Sequence, residues 1–156
     1  MANANSETSD SAAALIAQLE LAPHPEGGWY RETWRAEASE GERAGGTAIL
    51  FLLKAGESSH WHRVDADELW LWQGGDPLRL SIAPGQEGPI RELSLGPAPA
   101  GGQFLQGLVP AGDWQAARPL AGERSAHGYC LVSCVVVPGF DFAGFELAPA
   151  GWAPRA

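Results

Sequence analysis

Cysteine is scarce in this sequence: Cys130 and Cys134 are its only two, and both fall inside YCLVSCVVV, whose β-branched residues read as strand. Four residues of extended chain would set them roughly 13 Å apart, about twice the longest Cα separation a disulfide tolerates. Their spacing also differs from the C-x-x-C of redox and metal motifs, so the expectation is a pair of reduced core thiols. Basic residues are scarce as well. Ten Lys and Arg stand against 19 Asp and Glu, giving a formal charge of −9 and a pI near 4.8. The resulting negative field repels phosphate backbones and anionic lipid, which argues against nucleic acid or a membrane as partner. Long apolar runs are missing too. No stretch approaches the roughly 18 residues a membrane helix needs, and residues 1–10 lack the basic start and apolar segment of a signal peptide. A cytoplasmic protein is expected.

Turn chemistry, by contrast, is abundant. The 20 glycines and 12 prolines are spread along the 156 residues as punctuation, a length that suits one compact domain. Residues 1–10 are small and polar, with nothing to offset the entropy of ordering, and read as a disordered tail. SAAALIAQLEL, 11–21, has a capping residue, good helix formers and Leu15, Ile16 and Leu19 on one stripe, which predicts one short helix. HPEGG, 24–28, then breaks it. From there short apolar runs alternate with Gly/Pro turns at near-regular intervals, the pattern of an all-β sandwich or barrel. Strands are expected near 29–34, 47–53, 59–62, 68–73, 78–83, 90–95, 104–109, 114–118, 129–137 and 145–147. The single domain should span 11–149, with 150–156 as a C-terminal tail.

The central chemical signal is SHWHRVDADELWLWQGG, 59–75. Residues two apart diverge on a helix but share a face on a strand, so His60 and His62 converge only if this segment is extended. A hairpin returning Glu68 at the same level would gather three metal-competent groups, with Trp70 and Trp72 on Glu68's face as an aromatic wall. GLVPAGDWQAA, 107–117, places Gln115 after a Pro-x-Gly turn, where it can supply a fourth ligand.

These stretches resemble the two signature motifs of the cupin superfamily. Gly56, His60, His62, Glu68 and Gly75 match the first motif, and Pro110, Gly112 and Gln115 the second. Gly56 lies closer to His60 than the usual pattern, five residues separate His62 from Glu68, and Asp67 is therefore a rival third ligand. Gln115 stands where most metal cupins carry histidine, and a neutral amide oxygen is a poorer ligand than imidazole for late transition metals. HPEGGWYRETW, SHWHRVDADELW, VPAGDWQAA and LVSCVVVPGFDFAGFEL together resemble one subgroup, the cupin-5-like family of domains of unknown function. That resemblance implies a double-stranded β-helix, or jelly-roll barrel, with one short N-terminal helix. It also implies a homodimer, and a fold similar to that of sugar-nucleotide epimerases of the RmlC type.

Other residues carry paired readings. His24 and Glu26 form either a structural turn or a pocket lid that supplies an acid or base. Arg31 either fixes an anionic group of a substrate or is a solvated charge. Trp70 and Trp72 are core, pocket wall or a stacking surface for a ligand. His127, in a polar loop, should be exposed. Three functions follow as expectations. The first is a mononuclear metal enzyme for a small polar or anionic metabolite, with His60, His62 and Glu68 as ligands, Gln115 as a weak fourth, and Fe, Mn, Ni or Zn as the divalent ion. The second is a metal-free isomerase or epimerase in which a pocket histidine takes a proton and Tyr30 or another tyrosine returns one. The third is a small-ligand binding or sensing module.

Overall fold

The computed structural model describes residues 4–120 and 125–156, with side chains from Ser11 onward. One helix, α1 (Ala4–Gln18), precedes eleven strands. It begins inside the segment read as a disordered tail, because 1–10 contains no Pro or Gly to stop a helix from extending. Residues 1–3 of that segment lie outside the described residues. Ala12, Leu15, Ile16 and Leu19 form its covered side. Glu20, at φ 55°, ends it: the Leu21 N–H donates to the Ile16 carbonyl and the Glu20 N–H to the Ala17 carbonyl, a Schellman closure.

The strands are β1 (Ala22–Pro23), β2 (Trp29–Arg35), β3 (Thr47–Lys54), β4 (Ser59–Val64), β5 (Asp67–Gly75), β6 (Leu78–Ala83), β7 (Arg91–Leu95), β8 (Gln106–Val109), β9 (Trp114–Pro119), β10 (Tyr129–Val137) and β11 (Phe145–Leu147). They form a six-stranded sheet in the order β1-β2-β3-β10-β5-β8 and a five-stranded sheet in the order β11-β4-β9-β6-β7, with all named pairs antiparallel. The sequence places ten of these strands, and only the two-residue β1 goes unforeseen. This is the all-β double-stranded β-helix expected of the cupin fold.

Between the sheets lies a core of Phe51, Leu53, Trp70, Leu78, Leu80, Ile82, Leu95, Val109 and Val132, with Cys130 and Cys134 among them. Both cysteines are free and buried, in accord with the sequence reading. Burial pushes the Cys130 thiol up to about 12 and the Cys134 thiol higher than its ordinary value. The last residues, 150–156, dock rather than trail as the tail expected of them. The Trp152 ring sits 4.5 Å from that of Trp114, and the Arg155 N–H donates to the Gln86 carbonyl at 2.8 Å. A large indole has more to gain by burying its face than by hydration.

Among the described residues, no helix is long and apolar enough to cross a membrane.

Candidate functional site

Strand β4 decides the site. Ser59 pairs with Ala117 and His62 with Gln115, so three steps on β4 oppose two on β9, and the extra residue is a β-bulge. The bulge resets the alternation of faces. Ser59, His62 and Val64 are buried, while His60 and Trp61 are half-exposed. The His60 ring therefore faces out, where its Nε2 meets the Pro149 carbonyl at 3.0 Å, and the expected convergence of His60 and His62 does not occur.

The partner His62 finds is Glu26. In the loop between β1 and β2, Gly27 at φ 103° lies so close to β4 that a Cβ would run into the Ser58 carbonyl, which leaves the position to glycine. That approach carries Glu26 inward. Its Oε2 accepts from His62 Nε2 at 2.7 Å and from the Ser59 hydroxyl at 2.7 Å, and its carbonyl accepts from the His60 N–H at 2.8 Å. His62 Nδ1 donates to the His60 carbonyl at 2.7 Å. Both ring nitrogens thus face acceptors, an arrangement that favours the doubly protonated imidazolium. Burial by itself would lower its pKa, but the charge and hydrogen bond of Glu26, with Glu68 and the His60 carbonyl, raise it to about 9. For Glu26, burial pushes the carboxyl up, but the His62 charge, its hydrogen bond and that of Ser59 hold it below the usual range. His24 also lies here. Its Nδ1 lies 3.1 Å from the Glu26 backbone nitrogen and 3.3 Å from Glu26 Oε1, and burial holds the ring below its ordinary pKa against the opposing charge of Glu26.

A second chain of polar groups crosses between the sheets. Trp70 Nε1 donates to Gln115 Oε1 at 2.8 Å, and Gln115 Nε2 donates to Glu68 Oε1 at 3.0 Å. Burial, seconded by the Glu26 charge, outweighs His62 and the hydrogen bonds of Gln115 and Cys134 and lifts Glu68 to about 7. Two buried carboxyls in one cavity are therefore pushed apart, Glu26 down and Glu68 up.

These groups share a cavity of about 560 Å³, lined at its base by His24, Glu26, His62 and Glu68 and along its walls by Tyr30, Ile49, Val64 and Val136. Phe140, Phe142 and Phe145 continue the wall, and Phe145 packs 5.6 Å from His62. The Tyr30 hydroxyl and His24 Nε2 have no hydrogen-bond partner among the described residues.

Several expectations need correction. Trp70 and Trp72 share Glu68's face but do not line the cavity: Trp70 is core, and Trp72 Nε1 is spent on the Asp76 carbonyl at 3.2 Å. Asp67 is exposed and accepts from the Ala111 N–H, so it is no rival to Glu68. Arg31 borders the cavity, but it pairs opposite Leu50 and lies between inward Tyr30 and Glu32, which turns its side chain to the outer face. His127 is exposed, as expected. Ser59 and Cys134 were missed by sequence reasoning, since neither a lone serine nor a strand cysteine signals a carboxylate neighbour.

The divalent-ion site does not assemble from these residues. A metal needs free lone pairs, yet both His62 nitrogens face hydrogen-bond acceptors, Gln115 is engaged at both ends, and His60 faces away. Among the described residues, no three of His, Cys, Asp or Glu gather so as to hold a metal ion.

Two antiparallel sheets rolled into a barrel have the architecture of a cupin, and comparison with known proteins agrees. The chain belongs to the family described as Cupin superfamily (DUF985), which it matches over residues 13–148. It is 28% identical over 152 residues to the uncharacterized protein YML079W of Saccharomyces cerevisiae, covering 87% of this chain and 74% of that one. Among solved structures it is similar to protein SO0799 from Shewanella oneidensis (40% identity, TM-score 0.79, 88% of this chain and 84% of that). It is also similar to a hypothetical protein from Leishmania major (36%, TM-score 0.77, 88% and 86%). Oxalate decarboxylase from Bacillus subtilis shares the fold at 15% identity and TM-score 0.59, over 80% of this chain and 29% of that one.

Proposed function

We propose that the cavity is a metal-independent acid–base site for a small polar metabolite carrying a C–H made acidic by a neighbouring carbonyl. The observation that carries this reading is Glu68: a buried carboxyl lifted to about 7, on the wall of the cavity that also holds the unpartnered Tyr30 hydroxyl. A general base works best when its pKa lies near the working pH. His62 does not serve as the base, because it already holds both protons. Its fixed charge, held by Glu26, instead stabilises negative charge as it develops on a substrate oxygen. Glu68 takes the proton, and Tyr30 and His24 Nε2–H offer donors to that oxygen. Because the charge of His62 is balanced by Glu26 and that of Arg35 by Glu32, an uncharged substrate fits better than an anion.

The test is proton exchange. A panel of small carbonyl compounds is incubated with the protein in D₂O and followed by ¹H NMR. Loss of an α-proton signal is expected with the native protein, unchanged by EDTA, and slowed roughly 10²- to 10⁴-fold by Glu68→Gln. Exchange abolished by EDTA and restored by a divalent ion would overturn the reading. Saturable binding without exchange across the panel would favour a binding module in its place.

The partner proposed is a second copy. Across the outer face of the six-stranded sheet runs an apolar row in register: Leu108, Leu69, Val135, Ala48 and Trp34. Leu108 is 50% exposed and Trp34 51%. Contiguous exposed apolar surface of this kind marks interfaces. Light scattering should give a dimer mass that Leu108→Glu reduces to that of a monomer.

A further inference from the structure

The outer face of the five-stranded sheet carries a feature that the cavity does not explain. Leu78, Leu80 and Ile82 of β6 are fully buried, so the alternating Arg79 and Ser81 point outward. Across the β6–β9 pair, Arg79 stands directly opposite Arg118 and Ser81 opposite Ala116. Like charges in that position repel each other. Arg79 reaches Glu92 only loosely, at 3.6 Å, and Arg118 is exposed with no carboxylate partner among the described residues. In a chain of net charge −9, the pair of guanidiniums meets one carboxylate among the described residues, Glu92, and only through Arg79.

The neighbouring strand completes the setting. On the far side of β9, the β4 bulge turns His60 and Trp61 outward onto the same face. Ser58, His60, Trp61, Arg79, Ser81 and Arg118 thus wall a groove of about 230 Å³, with Ala116 and Ala117 among the residues that line it. The small side chain of Ala116, opposite Ser81 on the outward face, leaves room beside the guanidiniums. Every polar side chain on this wall can donate a hydrogen bond; Glu92, opposite Ser81 on β7 and 3.6 Å from Arg79, flanks the groove without lining it.

We propose that this groove is a second binding site, for a small phosphate-type dianion held between the guanidiniums of Arg79 and Arg118 with the Ser81 hydroxyl as a further donor. A dianion turns the repulsion of the arginine pair into a paired attraction, and guanidinium forks match its oxygens. The site is independent of the cavity chemistry, since it uses the opposite face of β4 and β9.

Inorganic phosphate is the probe, compared with sodium chloride at equal ionic strength, on the full chain. In phosphate the native protein is expected to show a saturable rise in Tm. Arg79→Gln and Arg118→Gln should each weaken half-saturation by at least about tenfold, while Arg31→Gln, on the other sheet, should leave it unchanged. In chloride alone, Arg118→Gln should melt at or above the native temperature because the repulsion is gone. A variant that is merely damaged would melt lower in both salts, so the crossing of the two orders identifies the site. Phosphate's general stabilising effect is common to all variants. An equal phosphate shift in native protein and both variants, or no phosphate-specific shift at any concentration, would overturn the proposal.

Discussion

His60 and His62 stand two residues apart on one strand, yet their surroundings are opposite. His62 is 2% exposed and carries a charge that the Glu26 carboxylate, 2.7 Å away, does most to make tolerable. His60 sits half-exposed in the outer groove, held by one hydrogen bond to Pro149. A single inserted residue in the β4 ladder separates the two fates, because side-chain direction has a period of two and one extra residue inverts it. Inside the barrel, geometry dictates where each proton resides. Outside, solvent does most of the stabilising, and a residue can be lost at little cost. The comparison also locates the chemistry: the cavity side pairs charges and tunes carboxyls, and the groove side leaves two arginines facing each other.

Removing Glu26 should break this contrast most strongly. Glu26→Ala leaves a buried imidazolium without its partner, a change that costs roughly 3 to 5 kcal/mol in proteins generally. For a chain of this size that corresponds to a fall in Tm on the order of 10 °C at pH 7, measured by circular dichroism.

The pH dependence of stability comes next. The pKa of His62 is raised from 6.5 to about 9, so its contribution is full below 6.5 and is lost as pH rises through about 9. That of Glu68 is raised from 4.5 to about 7; the fold favours its protonated form, and this contribution is full below 4.5 and lost by about 7. Glu26 has the opposite sign: its pKa is lowered, so its contribution is present above 4.5 and is lost as pH falls through the depressed value. Stability should therefore peak in mild acid and decline toward pH 9, by on the order of 3 kcal/mol for each raised group. Glu68→Gln should flatten the part of the decline below pH 7 and, because the Glu68 charge helps to raise His62, draw the part above it toward lower pH. A thermal melt at each pH checks both segments, and a flat profile for the native protein would refute the assignment.

Smaller effects follow. Trp70→Phe keeps most of the buried ring area but leaves Gln115 Oε1 without a donor, at about 1 to 3 kcal/mol by chemical denaturation. His60→Ala, which removes one partly exposed hydrogen bond, should cost less than about 1 kcal/mol. A His60→Ala loss as large as that of Glu26→Ala would erase the distinction between the two faces of β4.

Much of this was legible in the chain before any coordinates. The turn residues and the alternation of Leu78, Leu80 and Ile82 with Arg79 and Ser81 are local properties, and they place nearly every strand. His62 and Glu68 read as inward for the same reason. His24 and Glu26 could be marked as a turn or a lid but not assigned, because nothing in HPEGG states which strand the loop will touch. Two signals misled. Strict alternation predicted His60 inward, and no residue type in SHWH announces a bulge. Trp70 and Trp72 were placed on the correct face, but whether a residue on that face meets the core or a cavity depends on how the opposite sheet covers it. For Arg31, read either as a contact for an anionic group or as a solvated charge, strand alternation beside Tyr30 decides the direction of the side chain.

The sequence by itself determined the strand pattern and the separation of the two cysteines, for these depend on local periodicity and turn chemistry, and its resemblance to the cupin-5-like family implied the barrel. Tertiary structure alone decided which imidazole enters, that Glu26 rather than a metal meets it, that Glu68 rises toward neutrality, and that Arg79 faces Arg118. Those outcomes depend on register between strands far apart in the chain and on burial, and neither is a property of any short segment.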